Sequence, residues 1–186
     1  MRQTILPVML SFALFVGASA QESKQGGYAG EERREIKSLS AEEVEQLLNG
    51  QGMGLAKAAE LNHYPGPRHV LELGTELRLT HGQRTQTQAA FERMRGAAVR
   101  LGRRIVERER ELDAMFATGE IDTRKLHAAT AAIAQLQGAL RAAHLAAHLE
   151  TRRLLSPAQI KKYDELRGYS AAPKPAGQHG HNHGKH

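Results

Sequence analysis

Thr80–Thr118, THGQRTQTQAAFERMRGAAVRLGRRIVERERELDAMFAT, and Asp122–Leu155, DTRKLHAATAAIAQLQGALRAAHLAAHLETRRLL, decide the fold of this chain. Proline is missing from both and from everything between Arg68 and Ser156, so no residue here breaks a helical hydrogen-bond ladder. In the first stretch Phe91, Met94, Ala98, Leu101, Ile105, Arg108, Leu112 and Met115 are spaced alternately by three and four. That is an apolar seam interrupted only at Arg108. Leu126, Ala129, Ile133, Leu136, Leu140, Ala143 and Ala147 repeat the spacing in the second stretch. Thr80 and Gln83 form a capping box, and at 1.5 Å per residue the helix they open is about 58 Å long. Gly119 ends it and Asp122 caps the next. Two helices joined by so short a turn form an antiparallel hairpin.

Outward from the hairpin the pattern stays helical. Ser40-Ala41-Glu42-Glu43 is another capping box, opening a helix with Val44, Leu47 and Leu48 on its apolar side. Gly50, Gly52 and Gly54 interrupt it, and a second piece covers Leu55 to Leu61. Tyr64-Pro65-Gly66-Pro67 is a firm break, after which Pro67 starts a helix carrying Val70, Leu71, Leu73 and Leu77. Ser156-Pro157-Ala158-Gln159 opens a short last helix through Ile160, Tyr163 and Leu166 to Gly168. Nothing alternates with a period of two. The predicted fold is all-α: a long antiparallel hairpin with shorter N-terminal helices and a short C-terminal helix, expected as an intertwined dimer.

Composition narrows the setting. Met1-Arg2, the apolar run Leu6 to Gly17 and Ala18-Ser19-Ala20 make up a secretory signal peptide over residues 1–20. Its apolar run is shorter than the ~20 residues of a spanning helix. Residues 21–38 read as a flexible lead, 39–168 as the helical domain, and 169–186 as a disordered tail, with no apolar residue larger than Ala from Ala171 onward. The absence of cysteine excludes disulfides and thiolate metal sites. A formal charge of +6 invites a nucleic-acid reading, which export and the lack of interleaved aromatics oppose. With aromatics at 4% and no Trp, the core is Leu, Ala and Ile, suited to slim helices completed by a second subunit. No nucleophile elbow, phosphate-binding glycine loop or H-E-x-x-H occurs, so the sequence offers no catalytic centre.

Leu79-Thr80-His81-Gly82-Gln83 and Leu155-Ser156-Pro157-Ala158-Gln159 are two copies of L-[ST]-x-x-Q flanking the hairpin. This pairing, behind a signal peptide, resembles the Spy/CpxP superfamily of periplasmic LTxxQ-motif proteins, which includes ZraP-like and CnrX-like members. The similarity covers roughly Ser40 to Gly168, with Ser in place of Thr in the second copy. It implies a four- or five-helix, usually dimeric protein that is not an enzyme. It also implies one of three roles: ATP-independent holdase chaperone of unfolded envelope proteins, inhibitor of a membrane sensor kinase or similar anti-sigma partner, or sensor and buffer of heavy metals.

The histidines bear on that choice. His144-Leu145-Ala146-Ala147-His148 sets two imidazoles one helical turn apart, a spacing suited to Zn, Ni, Co or Cu. The resemblance implies a metal-ligating His at the place of His144 and a further ligand at that of His148. The bland alternative is a pair of polar residues flanking an Ala-rich seam. Further ligands are sought in His63, His69 and Glu60 around the proline break, each also readable as an ordinary turn residue. His179, His181, His183 and His186 crowd the C-terminal tail, a composition that captures divalent transition metals without fixed geometry. Arg93, Arg100, Arg104 and Arg108 stripe the first hairpin helix. They read either as a solvated, ion-paired face or as a basic surface for an acidic partner.

Overall fold

The computed structural model describes residues 27–169; the expected signal peptide, the first part of the lead and the histidine tail lie outside the described residues. The chain divides into two units, 1–32 and 33–186, and every α-helix described belongs to the second. Among the described residues the secondary structure is helical, with no strand. Six α-helices come in the order α1 (Ala41–Leu48), α2 (Lys57–Glu60), α3 (Pro67–Glu72), α4 (His81–Ala117), α5 (Thr123–Leu154) and α6 (Pro157–Arg167). The long hairpin of α4 and α5 is present, with Asp122 capping α5 through the Lys125 N–H at 2.7 Å. Gly119 and Gly168 follow α4 and α6 in the left-handed conformation that glycine adopts most freely.

Both expected capping boxes are formed, and Ser156 with Gln159 forms a third. The two Q-containing ones do more than cap. Gln83 Nε2 donates to Leu154 O at 2.8 Å and to Gln159 Oε1 at 2.9 Å, while Gln159 Nε2 donates to Leu77 O at 3.1 Å. Each glutamine closes its own helix start and satisfies a carbonyl just upstream of the other's motif. The two motifs therefore tie the start of α4 to the junction of α5 and α6.

Two apolar clusters hold the helices. One gathers Ile36, Leu47, Ala98, Ile105, Val106, Leu136 and Leu140; the other gathers Val70, Leu77, Leu155 and Tyr163. Each fully buried Leu or Ile contributes roughly 1.5–3 kcal/mol relative to exposure. Helix α1 approaches α4 so closely that a Cβ on Gly102 would lie 2.0 Å from Leu47 O.

Three expectations are corrected. The flexible lead does not extend to residue 38, because Ile36 is buried in the core and Glu35, Lys37 and Ser38 bond Arg110, Asp113 and Glu109 of α4. The helix expected through Leu73 and Leu77 stops at Glu72, where Gly74 and the left-handed Arg78 turn the chain toward Thr80. The seam of α4 is only partly buried: Ala98 and Ile105 are covered, but Phe91, Met94, Leu101, Leu112 and Met115 are half-exposed. Helix α4 serves two sets of neighbours, α5 on one side and α1 and α3 on another, so burial also falls on Thr87, Ala90, Gly102 and Val106.

Candidate metal centre

The inward stripe of α5 runs Ile133, Leu136, Leu140, His144, Ala147, His148, Thr151, then Leu155 beyond its end. It is apolar within each cluster and polar between them. His144 and His148 are therefore core residues: His144 is 3% exposed and His148 9%. An imidazole at such a position loses solvent hydrogen bonds that only a partner can replace. The two rings meet this demand differently.

The Nδ1–H of His148 donates to the carbonyl of Tyr64 at 2.7 Å. A carbonyl can only accept, so the proton sits on Nδ1 and the lone pair on Nε2. Glu60 Oε2 stands behind the same nitrogen at 3.6 Å. Outer carbonyls and carboxylates of this kind orient imidazoles that ligate metals. On its other side the ring meets Gly66, where a Cβ would lie 2.9 Å from Cε1 and 3.0 Å from Nε2, pressing on the edge that carries the lone pair. Gly66 has an ordinary φ of −79°, so its missing side chain reflects space rather than backbone strain.

His144 has no such support. Its Nε2 is buried without a hydrogen-bond partner. Burial first, and the neighbouring His148 second, hold its pKa below the ordinary histidine value. A neutral imidazole with an open nitrogen is the form that binds a metal ion. Both rings line a cavity of about 740 Å³ between the Asn49–Gly52 loop, the start of α3, and the facing turns of α4 and α5.

The other predicted residues separate clearly. His69 lines the same cavity, and its Nδ1–H donates to Glu72 at 2.8 Å, leaving Nε2 available. His63 does not line it: its ring faces Asp164 at 2.8 Å, its carbonyl accepts from Arg152 at 3.2 Å, and its backbone is left-handed. It fastens the end of α2 to α5 and α6. Glu60 is likewise committed, with Oε1 accepting from Tyr163 at 2.5 Å and Tyr169 at 3.2 Å and Oε2 from the Gly66 N–H at 3.2 Å. It positions His148 from behind. Among the described residues no three His, Asp or Glu side chains converge on a single point that would hold an ion. The cavity thus brings together three imidazoles whose donors still have to be drawn inward. Sequence reading missed the Tyr64 carbonyl and Gly66 as parts of the site; the Tyr-Pro-Gly-Pro break was the available signal.

The four stripe arginines are all exposed on α4. Arg93 is paired with Glu150 of α5, and Arg108 with Glu111 at 2.6 Å, so part of the stripe is an ion-paired surface. The tail histidines lie outside the described residues.

With this geometry established, comparison with known proteins identifies the class. The model of the heavy-metal resistance family matches residues 47–162, and the chain belongs to that family. It is the family that includes Spy/CpxP/ZraP-like periplasmic proteins, and it is of a non-catalytic resistance and sensor type. The matched span contains α2 to α5, both L-[ST]-x-x-Q motifs and all three cavity imidazoles. No curated protein and no solved structure matches the chain significantly. Among the described residues no helix is long and apolar enough to cross a membrane.

Proposed function

We propose that the chain is a periplasmic heavy-metal sensor or resistance protein that holds a transition-metal ion in the cavity through His144, His148 and His69. The observation that carries this is the buried, unpartnered Nε2 of His144, a residue that lines one cavity together with His148 and His69. An orphaned polar atom at that depth costs about 1–3 kcal/mol, a penalty a ligand would relieve. Glu60 and the Tyr64 carbonyl orient His148 from outside. The tail imidazoles of His179, His181, His183 and His186 form a looser capture site. The protein acts as a homodimer with a membrane-bound partner, and it is not an enzyme.

Metal titration of the full chain tests this. Replacing His144 and His148 with Ala is expected to remove the tight site, while replacing the four tail histidines removes only weaker binding. Gly66→Ala should weaken the tight site at least tenfold, because its Cβ would press on Cε1 and Nε2 of the His148 ring and displace it. If the tail variant loses all tight binding and the helical double variant loses none, the cavity is not the site.

A holdase role has one observation in its favour, the exposure of Leu61, Phe116 and Leu149. It is tested by aggregation suppression without metal; no suppression at stoichiometric protein would exclude it.

A further inference from the structure

The cavity contains a donor that spacing alone assigned to apolar packing. Met94 is half-buried on α4 and lines the cavity together with His144 and His148. Helix register accounts for its place. The preceding residue, Arg93, is paired with Glu150 of α5, and Gln83 reaches Leu154 O at 2.8 Å. In an antiparallel pair so aligned, Met94 stands level with the turn that bears His148. Its thioether is the one sulfur among the described residues lining the cavity.

The charges of the lining point the same way. Among the described residues it includes no Asp or Glu, and it does include Arg68 and Arg95. Glu60 lies behind His148, on the Nδ1 side, and its oxygens are taken by Tyr163, Tyr169 and the Gly66 N–H. The metal-binding side chains of the lining are therefore neutral imidazoles and a thioether; of its two arginines, Arg68 is paired with Glu72 at 2.9 Å and Arg95 is exposed. Repulsion from those cations rises in proportion to the charge of a bound ion, and the penalty for dehydrating the ion rises with its square. Imidazole and thioether donors offset less of these penalties for a dication than a carboxylate or thiolate would. A monocation meets half the first and a quarter of the second. Thioether sulfur favours the soft monovalent state of copper, while imidazole accepts either class.

We propose that Met94 is a metal ligand and the specificity-determining residue of the cavity, making it with His144 and His148 a site for Cu(I) in preference to Zn(II). This rests on the reading of the cavity as a transition-metal site and specifies the ion that it takes.

The test uses the full chain with the four tail histidines replaced by Ala, titrated anaerobically with Cu(I) against a chromogenic Cu(I) chelator and separately with Zn(II). Met94→Leu keeps the volume of the side chain and should leave helicity and thermal midpoint nearly unchanged. It is expected to weaken Cu(I) binding at least tenfold, to leave Zn(II) binding unaltered, and to remove a sulfur shell seen by copper X-ray absorption in the parent. Equal Cu(I) affinity in parent and Met94→Leu, or no sulfur shell in the parent, overturns the inference. The two readings fail separately. If the His144→Ala/His148→Ala variant loses metal while Met94→Leu does not, the cavity site stands and only its selectivity for Cu(I) falls. If the double histidine variant binds as the parent does, both readings fall.

Discussion

Gly102 and His144 show how much a single position decides. A methyl group on Gly102 would stand 2.0 Å from the Leu47 carbonyl, and that atom belongs to the backbone at the end of α1. No side-chain rotation relieves such a clash, so α1 must shift. Gly102→Ala, an improvement by helix propensity alone, is expected to destabilise by about 1–3 kcal/mol or more, read from the urea midpoint. A neutral or stabilising result would mean that α1 does not sit against α4 in solution. His144 makes stability depend on pH. Burial lowers its pKa below the ordinary 6.5, so below that value the unfolded chain binds a proton that the folded chain resists. Unfolded protein then carries more protons than folded, and stability falls as pH decreases. Metal-free protein should lose stability between pH 7.5 and 5.5, and His144→Leu should lose less. Equal slopes in urea unfolding would show that His144 does not contribute.

At the scale of elements, the paired L-[ST]-x-x-Q motifs explain why glutamine rather than glutamate stands at the third helical position of α4 and α6. A carboxylate would cap the helix equally well. Only an amide also donates, and Gln83 and Gln159 use that donor on Leu154 O, Leu77 O and each other. Gln83→Glu should therefore retain the cap yet destabilise by about 1–2 kcal/mol, since it leaves a carbonyl unsatisfied and sets a charge against Gln159. A double cycle with Gln159→Ala should show coupling above 0.5 kcal/mol; additive effects would mean that the two motifs act independently. The motifs, the helix ends and the hairpin were all legible in the sequence, because capping and periodicity are local properties. Ile36 was not, since one apolar residue in a charged run gives no period and most of its cluster partners lie far along the chain, on α4 and α5. The site was half legible. The i,i+4 histidines announced themselves, but whether they faced solvent or core depended on which side of α5 the N-terminal segments cover. His63 and His69 looked equivalent beside the proline break, and only the left-handed turn at His63 sends its ring to Asp164 instead of to the cavity.

On the scale of the whole molecule, the cavity lies where the two apolar clusters leave α5 without apolar cover, and its walls differ in kind. The facing turns of α4 and α5 are parts of helices of 37 and 32 residues, whereas the opposite wall is the Asn49–Gly52 loop and the six-residue helix α3. The donors do not yet converge. Binding should therefore move the short wall toward the long one, since a loop and a single-turn helix deform more easily than a packed hairpin. That movement has a route outward. Glu60, just before the break, is held by Tyr163 and Tyr169 at the C-terminal end of the domain, with the Arg167 guanidinium 3.6 Å away. A shift of residues 60–66 is thus felt at α6. Saturating metal at a hundredfold excess over Kd should stabilise the fold by about 2.7 kcal/mol. Amide hydrogen exchange should slow most in residues 49–54 and 64–72, change in α6, and stay nearly constant in the middle of α4. Tyr163→Phe should preserve metal binding but uncouple α6, so that exchange there no longer responds to metal. If exchange slows only along α4 and α5, the cavity binds without closing, and the protein stores metal but does not signal its presence.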